Sequence, residues 1–162
     1  MIRLAKEKDL DNIQEIYVYA RKFMAEHGNP VQWGKNYPTE ELVEGDIRNG
    51  NQYVGVADER IVATFFYCPM EDPDYQVIEG AWLNEEPYGV VHRITSDGTV
   101  KGAASACLTW AFGQCGNLKI DTHRDNVVMQ NMLKKNGFTY CGRIYIDNGG
   151  ERLAFQKDSP VP

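Results

Sequence analysis

The stretch 102–112, Gly-Ala-Ala-Ser-Ala-Cys-Leu-Thr-Trp-Ala-Phe, limits the fold of this chain more than any other. It carries no charge, and Ala103, Ala104, Ala106, Cys107, Leu108, Trp110, Ala111 and Phe112 put apolar side chains on nearly every side of a helix. A helix of that kind is expected to be buried under other layers. The run before it, 88–95, has the alternation of a strand, with Val90, His92 and Ile94 facing one way and Val91, Arg93 and Thr95 the other. Both faces carry apolar or partly apolar groups, so this strand is expected at the centre of a sheet. Strand and helix meet at Asp97-Gly98-Thr99-Val100-Lys101-Gly102, and the domain must be layered around that junction.

The flanking sequence supplies the other layers. Residues 1–4 read as a short strand. Asp9 suits the N-cap of a helix whose Leu10, Ile13, Ile16, Tyr17, Ala20 and Met24 share one face, up to the break at His27-Gly28-Asn29-Pro30. A loop rich in Gly, Pro and aromatic residues follows, and Thr39 can cap a shorter helix ending near Asn49-Gly50. Runs 53–57 and 61–68 form an antiparallel hairpin around 58–60, stopped by Pro69. Residues 70–87 are irregular and acidic. Beyond the apolar helix come a strand at 118–122 and a helix opened by Asp125 or Asn126, with Val128, Met129, Met132 and Leu133 inward. Lys134-Lys135-Asn136-Gly137 closes that helix. A strand at 138–146 turns at Asp147-Asn148-Gly149-Gly150 into a last strand at 152–156. The expectation is one α/β domain over 1–157 with a mixed sheet, antiparallel in its first half, and a frayed tail at 158–162.

Charge and cysteine usage remove several classes of function. The formal net charge of -6 offers no basic footprint for nucleic acid or an anionic membrane. The charged start, MIRLAKEKDLD, lacks the apolar segment of a secretory leader, and the longest uncharged run, 102–118, is too polar and too short to span a bilayer. A cytoplasmic location is therefore expected. Cys68, Cys107, Cys115 and Cys141 form no C-x-x-C pair, and His27, His92 and His123 have no paired-ligand spacing, so no metal site is expected.

What the 97–105 turn holds is the central question. Amides at a helix N-terminus are unpaired and lie at the positive end of the helix dipole, and small residues there let an anion approach. Lys101 adds a point charge. A plain tight junction is the alternative on this segment alone. The P-loop pattern G-x-x-x-x-G-K-[ST] fails, because Gly98 and Gly102 are one residue too close and Ala103 follows. The dinucleotide pattern G-x-G-x-x-G fails as well.

The segment resembles the acetyl-CoA loop of the GNAT superfamily of N-acetyltransferases, Q/R-x-x-G-x-G/A. Thr99-Val100-Lys101-Gly102-Ala103-Ala104 matches with Gly102 and Ala104 in place and departs at Thr99. Downstream, Asn126 opening a helix that ends in Gly137-Phe138 resembles the family's second signature. The resemblance covers almost the whole chain. It implies a mixed sheet flanked by helices in which two neighbouring strands, 90–95 and 118–122, splay apart to admit the pantetheine arm of acetyl-CoA. Ile94 and Thr95 would face that arm and the thioester oxygen, the amides of Val100, Lys101, Gly102, Ala103, Ala104 and Ser105 would hold the pyrophosphate, and Thr99 and Asn126 would belong to the cofactor side. The implied activity is acetyl transfer from acetyl-CoA to a primary amine of a small molecule or peptide by direct attack, without a metal. No nucleic-acid or membrane partner is implied, and a homodimer is compatible with it.

Acetyl transfer needs a neutral amine, a stabilised oxyanion and a proton for the leaving thiolate. Many relatives take that proton from a Tyr in the last helix, at a position that here is Leu133. Tyr140 and Tyr145 are the nearby substitutes, against a plainer role as packing residues. His92 is a candidate proton relay, since imidazole titrates near neutral pH, against the plainer role of a core histidine. Asp121 and His123 share a face if their strand continues. Glu79, Trp82, Asn84 and Glu85, with Trp33 and Tyr37, are candidate acceptor-site residues, with His123 beside them. Acidic and aromatic groups suit a cationic amine, and a solvated acidic loop over buried tryptophans is the alternative. Two other functions remain open: a non-catalytic CoA-binding sensor that has lost its acid at Leu133, and an O-acyltransferase.

Overall fold

The structure is a computed structural model and describes residues 1–159; the end of the expected frayed tail, 160–162, lies outside the described residues. The elements run β1 (Ile2–Leu4), α1 (Leu10–Glu26), α2 (Glu40–Arg48), β2 (Gln52–Ala57), β3 (Arg60–Pro69), β4 (Glu79–Gly80), β5 (Gly89–Ser96), α3 (Ala103–Cys115), β6 (Asn117–Thr122), α4 (Val127–Lys135), β7 (Thr139–Tyr145) and β8 (Glu151–Asp158). One eight-stranded sheet orders them β1-β2-β3-β5-β6-β8-β7-β4. Among the described residues only β5 and β6 pair in parallel. The mixed α/β architecture expected from the sequence is present, with the closing β7–β8 hairpin folded back so that β8 lies between β6 and β7.

The two faces of the sheet are covered by different parts of the chain. On one face α3 and α4 pack Cys107, Leu108, Ala111 and Leu133 against Phe65, Val91, Ile94, Leu118, Ile120 and Phe155. On the other, α1 and α2 bury Ile13, Tyr17, Val43 and Ile47 against Val54, while Tyr75, Trp82 and Tyr88 cover Val90, Ile144 and Ala154. The 70–87 stretch is thus a structured cover, with a 3-10 turn at Pro73–Tyr75 and a two-residue strand on β7. Among the described residues no helix is long and apolar enough to cross a membrane.

Several local expectations need correction. Asp9 does not cap α1: its carboxylate accepts from the Lys6 amide at 2.8 Å and is paired with Arg3 at 2.8 Å. Thr39 does cap α2, its hydroxyl accepting from the Leu42 amide at 3.2 Å. The apolar helix α3 is covered on one side only, with Ala106, Thr109, Gly113 and Gln114 exposed, because small residues pose little cost in water. Val128 faces outward, 54% exposed. The tail is held as far as it is described: β8 runs to Asp158, and the Ser159 amide donates to the Gly116 carbonyl at 2.9 Å.

The correction that matters most for the site is in β5. His92 pairs with Phe66 but Thr95 pairs with Thr64, so β5 carries one extra residue opposite β3. This is a β-bulge, and Arg93 within it has φ +53°. The bulge moves Ile94 to the α3 face, where it joins Val91, while Val90 stays on the other face. Strict alternation across 90–95 therefore breaks at Arg93.

Candidate active site

β5 and β6 pair only at Gly89↔Leu118 and Val90↔Lys119. Beyond Val90 the β6-facing edge of β5 has no strand partner, which is the splay that the resemblance implied. The closed end is tightly packed, since a Cβ on Gly89 would lie 2.8 Å from Tyr67 and 3.0 Å from the Cys115 sulfur. The bulge beyond it is held by three elements. Tyr17 of α1 donates its hydroxyl to the Arg93 carbonyl at 2.9 Å, Asp46 of α2 accepts from the Arg93 guanidinium at 2.6 Å, and the Tyr37 hydroxyl accepts from the same group at 3.1 Å. Burial pushes the Tyr17 hydroxyl up to about 12, so it stays a donor at any ordinary pH.

A cavity of about 700 Å³ fills the split. Its walls include His92, Ile94 and Thr95 of β5, Ile120 and Thr122 of β6, Ala104 of α3, and Asn126, Met129 and Met132 around α4. The loop after α1 closes the remaining side with Trp33 and Tyr37. That loop is tied across the opening, where Gln32 Oε1 accepts from both Asn29 at 2.9 Å and Asn126 at 3.1 Å. Asn126 is also the N-cap of α4, accepting from the Met129 amide at 3.0 Å.

The α3 N-terminus opens beside this cavity. Its first helical bond runs from the Ala106 amide to the Gly102 carbonyl at 3.0 Å, which leaves the Ala104 and Ser105 amides ahead of it without an intrahelical partner. Gly102 is left-handed, φ +78°, and nothing lies within 4 Å of where its Cβ would be. Such a cradle of small residues admits an anion, and it fits a phosphate group. The departing residue, Thr99, is fixed by its neighbours: its amide and hydroxyl both donate to Asp97, at 2.9 and 2.6 Å, and its oxygen accepts from Arg60 at 2.9 Å. Val100 and Lys101 are exposed on this turn, and Ala103 and Ser105 are half-buried at the helix start. These loop residues flank the cavity, and of them Ala104 alone lines it.

His92 lies on the cavity wall, and its Nε2 is 2.7 Å from Asp72 Oδ2. Asp72 is 5% exposed and also accepts from the Asp74 amide at 2.9 Å. Burial pushes its carboxyl up, but the His92 bond and charge and the Asp74 amide outweigh this and hold it below the usual range. An ionised Asp72 can only accept, so the hydrogen bond runs from His92 Nε2–H to Asp72 Oδ2 and leaves Nδ1 as the other ring nitrogen.

The remaining candidates are placed elsewhere. Trp82 donates its indole N–H to the Tyr75 carbonyl at 3.0 Å and stacks on the Lys119 ammonium at 4.1 Å. Asn84 belongs to an amide cluster with Asn117 and Gln156. Glu79 sits on the sheet edge and accepts from the Tyr145 hydroxyl at 3.1 Å. Tyr140 is exposed and meets Phe155 edge to face. Glu85 is exposed. None of these lines the cavity. His123 falls past the end of β6, where Nδ1 accepts from the Asp125 amide at 3.0 Å, and burial and then Arg152 lower its pKa. Asp121 consequently does not orient it and instead accepts from the Tyr75 hydroxyl at 2.6 Å. Leu133 is fully buried in the core with Ile94 and Cys107, a burial worth about 1.5–3 kcal/mol.

Asp72, Asp74 and Asp147 were not singled out in the sequence. The run Glu71-Asp72-Pro73-Asp74 held the one available signal, an Asx cap with Pro at the first position of a turn. Nothing local to that run points across the chain to His92.

No family profile and no curated protein matches this chain. Solved structures do. A GNAT-family acetyltransferase from Streptococcus agalactiae is 32% identical over 99% of this chain and 96% of that one, with a TM-score of 0.91. A Staphylococcus aureus protein assigned to the acetyltransferases is 25% identical over 98% of each chain, with a TM-score of 0.72. The NatC complex bound to Gag peptide and CoA shares the fold at 13% identity over 100% of this chain and 98% of that one, with a TM-score of 0.64. With the splayed strands, the open helix start and near full-length similarity to the streptococcal enzyme, the chain belongs to the GNAT family of acetyltransferases.

Proposed function

We propose that the protein transfers the acetyl group of acetyl-CoA to a primary amine by direct attack. The observation that carries this reading is the split between β5 and β6, which leaves the inner edge of β5 unpaired along a cavity that opens beside the α3 N-terminus. When bound, acetyl-CoA supplies an activated thioester. The amides of residues 100–105 hold its pyrophosphate, with Lys101 adding charge and Gly102 leaving room. The β5 backbone at Ile94 and Thr95 pairs with the pantetheine arm and offers an N–H to the thioester oxygen.

His92 takes the proton that the attacking amine loses. Asp72 fixes the tautomer by accepting from Nε2, and Nδ1 is the basic atom. Trp33 and Tyr37 form the acceptor-side wall. Glu79, Trp82, Asn84, Tyr140, Tyr145 and His123 have no part in this scheme, because they lie away from the cavity. The acceptor is a small molecule or peptide and the location cytoplasmic; nucleic acid and membrane play no part.

Leu133 favours a second reading. Its side chain is 0% exposed and puts no hydroxyl near the cavity, as suits a CoA-binding sensor without turnover. A melt with acetyl-CoA, AMP and NAD, followed by an amine panel, separates the two. At a hundredfold excess over its dissociation constant, acetyl-CoA is expected to stabilise the fold by about 2.7 kcal/mol, and AMP and NAD are not. Thiol release with an amine supports the transferase, stabilisation without release supports the sensor, and no stabilisation rejects both.

A further inference from the structure

The turn before α3 is not built from its own residues alone. β3 and β5 run antiparallel and pair Ala63 with Ser96, and beyond that pair the Asp97 amide still donates to the Val62 carbonyl at 2.9 Å. Carried three residues past Ala63, the same register sets Arg60, the first residue of β3, opposite Thr99. A register shift between β2 and β3 at Gly55 and Val56 turns Ile61 onto the α1–α2 face, where it packs against the Ile13, Val43 and Val54 cluster, although Ala63 lies on the α3 face. Arg60, next to Ile61, therefore points to the α3 face, the side on which the helix start opens. There its Nη2 donates to Thr99 Oγ1 at 2.9 Å.

The charge of this arginine is unspent. Arg60 is exposed, and among the described residues it is in no ion pair. Asp97, the carboxylate of the turn, instead takes the Thr99 amide at 2.9 Å and the Thr99 hydroxyl at 2.6 Å, both on Oδ1. The Thr99 hydroxyl thus donates to Asp97 and accepts from Arg60, and it seats the guanidinium over the turn. A guanidinium carries a fork of N–H donors, and Arg60 spends one of them on Thr99. Such a fork, with its charge unpaired, matches the paired oxygens of a phosphate. Lys101 stands on the same turn, also exposed and outside the ion pairs of the described residues. A chain of formal net charge -6 therefore sets two free cations beside the helix start whose Ala104 and Ser105 amides have no intrahelical partner.

Resting on the cofactor that both readings above share, we propose that Arg60 is a phosphate-binding residue of the acetyl-CoA site, with Thr99 as its positioning residue. The turn departs from the family pattern at Thr99, and the charge that Thr99 does not carry comes to it from a hairpin 39 positions away.

The test is calorimetric binding of CoA, and of dephospho-CoA, which lacks the 3′-phosphate, to the parent and to Arg60→Gln at low and high salt. Glutamine keeps a donor for Thr99 Oγ1 and removes the charge. Position 60 is exposed, so an unchanged melting midpoint is expected to report an intact fold. Arg60→Gln is expected to bind CoA about tenfold more weakly, the scale of one charge-assisted hydrogen bond, and to respond less steeply to salt than the parent. An equal loss for the two ligands assigns the pyrophosphate to Arg60, and a loss with CoA alone assigns the 3′-phosphate. CoA affinity within about twofold of the parent overturns the proposal, as does a loss that is the same at every salt concentration, which marks a change of loop shape rather than of charge. A parent that binds neither ligand rejects the cofactor reading itself, whereas CoA binding untouched by Arg60→Gln leaves that reading standing and removes Arg60 from it.

Discussion

The two edges of β6 behave differently. Towards β8 the strand pairs at every residue from Asn117↔Asp158 to Thr122↔Leu153, and a buried amide cluster of Asn84, Asn117 and Gln156 backs that seam. Towards β5 it pairs at two positions and then parts. The backbone groups given up on the β5 side are those that the proposed function needs free, and the β8 side supplies the continuous ladder that keeps the sheet whole. The site is thus a gap in a sheet that is stable because its other seam is complete.

That contrast predicts that substitutions on the open edge change chemistry and those on the closed edge change stability. The largest effect is expected at His92. His92→Gln should lower turnover by about a hundredfold, the scale of a lost general base, with acetyl-CoA affinity unchanged. Turnover within a few-fold of the parent would remove His92 from the chemistry. Next comes the closed seam. Gln156 is fully buried, accepts from the Leu83 amide at 2.8 Å and donates to Asn117 Oδ1 at 2.7 Å. Gln156→Leu should cost about 1–3 kcal/mol in denaturant melts, because it orphans the buried Asn117 Oδ1 and removes the acceptor of the Leu83 amide. If CoA affinity fell with stability, the two edges would not be independent.

The start of α3 and the cap of α4 were legible in the sequence because their signals are local. Gly102 is needed at a left-handed position, Asn126 caps the helix it precedes, and small residues follow one another at the α3 start. The splay itself was reached through the resemblance. The far wall of the cavity was not legible, and Glu79, Trp82 and Asn84, expected near it from their place before the central strand, do not line it. The carboxylates on and beside the cavity wall come from segments far apart: Asp72 and Asp74 from a 3-10 turn, Asp121 from β6 and Asp147 from the β7–β8 turn. Only the return of β8 between β6 and β7, and the one-residue bulge at Arg93, bring those segments to one cavity. A bulge leaves no mark in an alternating pattern, so Ile94 was read on the wrong face.

A smaller effect is expected where the bulge is held. Tyr17 is fully buried, donates to the Arg93 carbonyl at 2.9 Å and accepts from Gln52 Nε2 at 3.1 Å. Tyr17→Phe should cost about 1 kcal/mol of stability. It should also raise the KM for acetyl-CoA, since the unpaired edge of β5 beyond the bulge loses one of its three anchors. A stability loss with KM unchanged would show that Asp46 and Tyr37 hold the bulge alone.

A pH dependence is expected on β6 itself. Lys119 is 4% exposed, its ammonium 3.8 Å from the Tyr88 ring and 4.1 Å from the Trp82 ring, with no carboxylate paired to it among the described residues. Burial lowers its pKa from 10.5 to about 8. Between those two values the unfolded chain holds a proton that the folded one has released, so stability rises with pH across that window. Below about 8 both states are charged and the full cost of burying the ammonium is present; above 10.5 neither is, and the cost is gone. Lys119→Met keeps the stem against the two rings and removes the proton, so it should flatten the slope between pH 8 and 10.5 and raise stability at neutral pH. Denaturant midpoints read at several pH values across that window check it. If the slope survived in Lys119→Met, it would belong to other groups, and the aromatic pair would be compensating the buried charge in full.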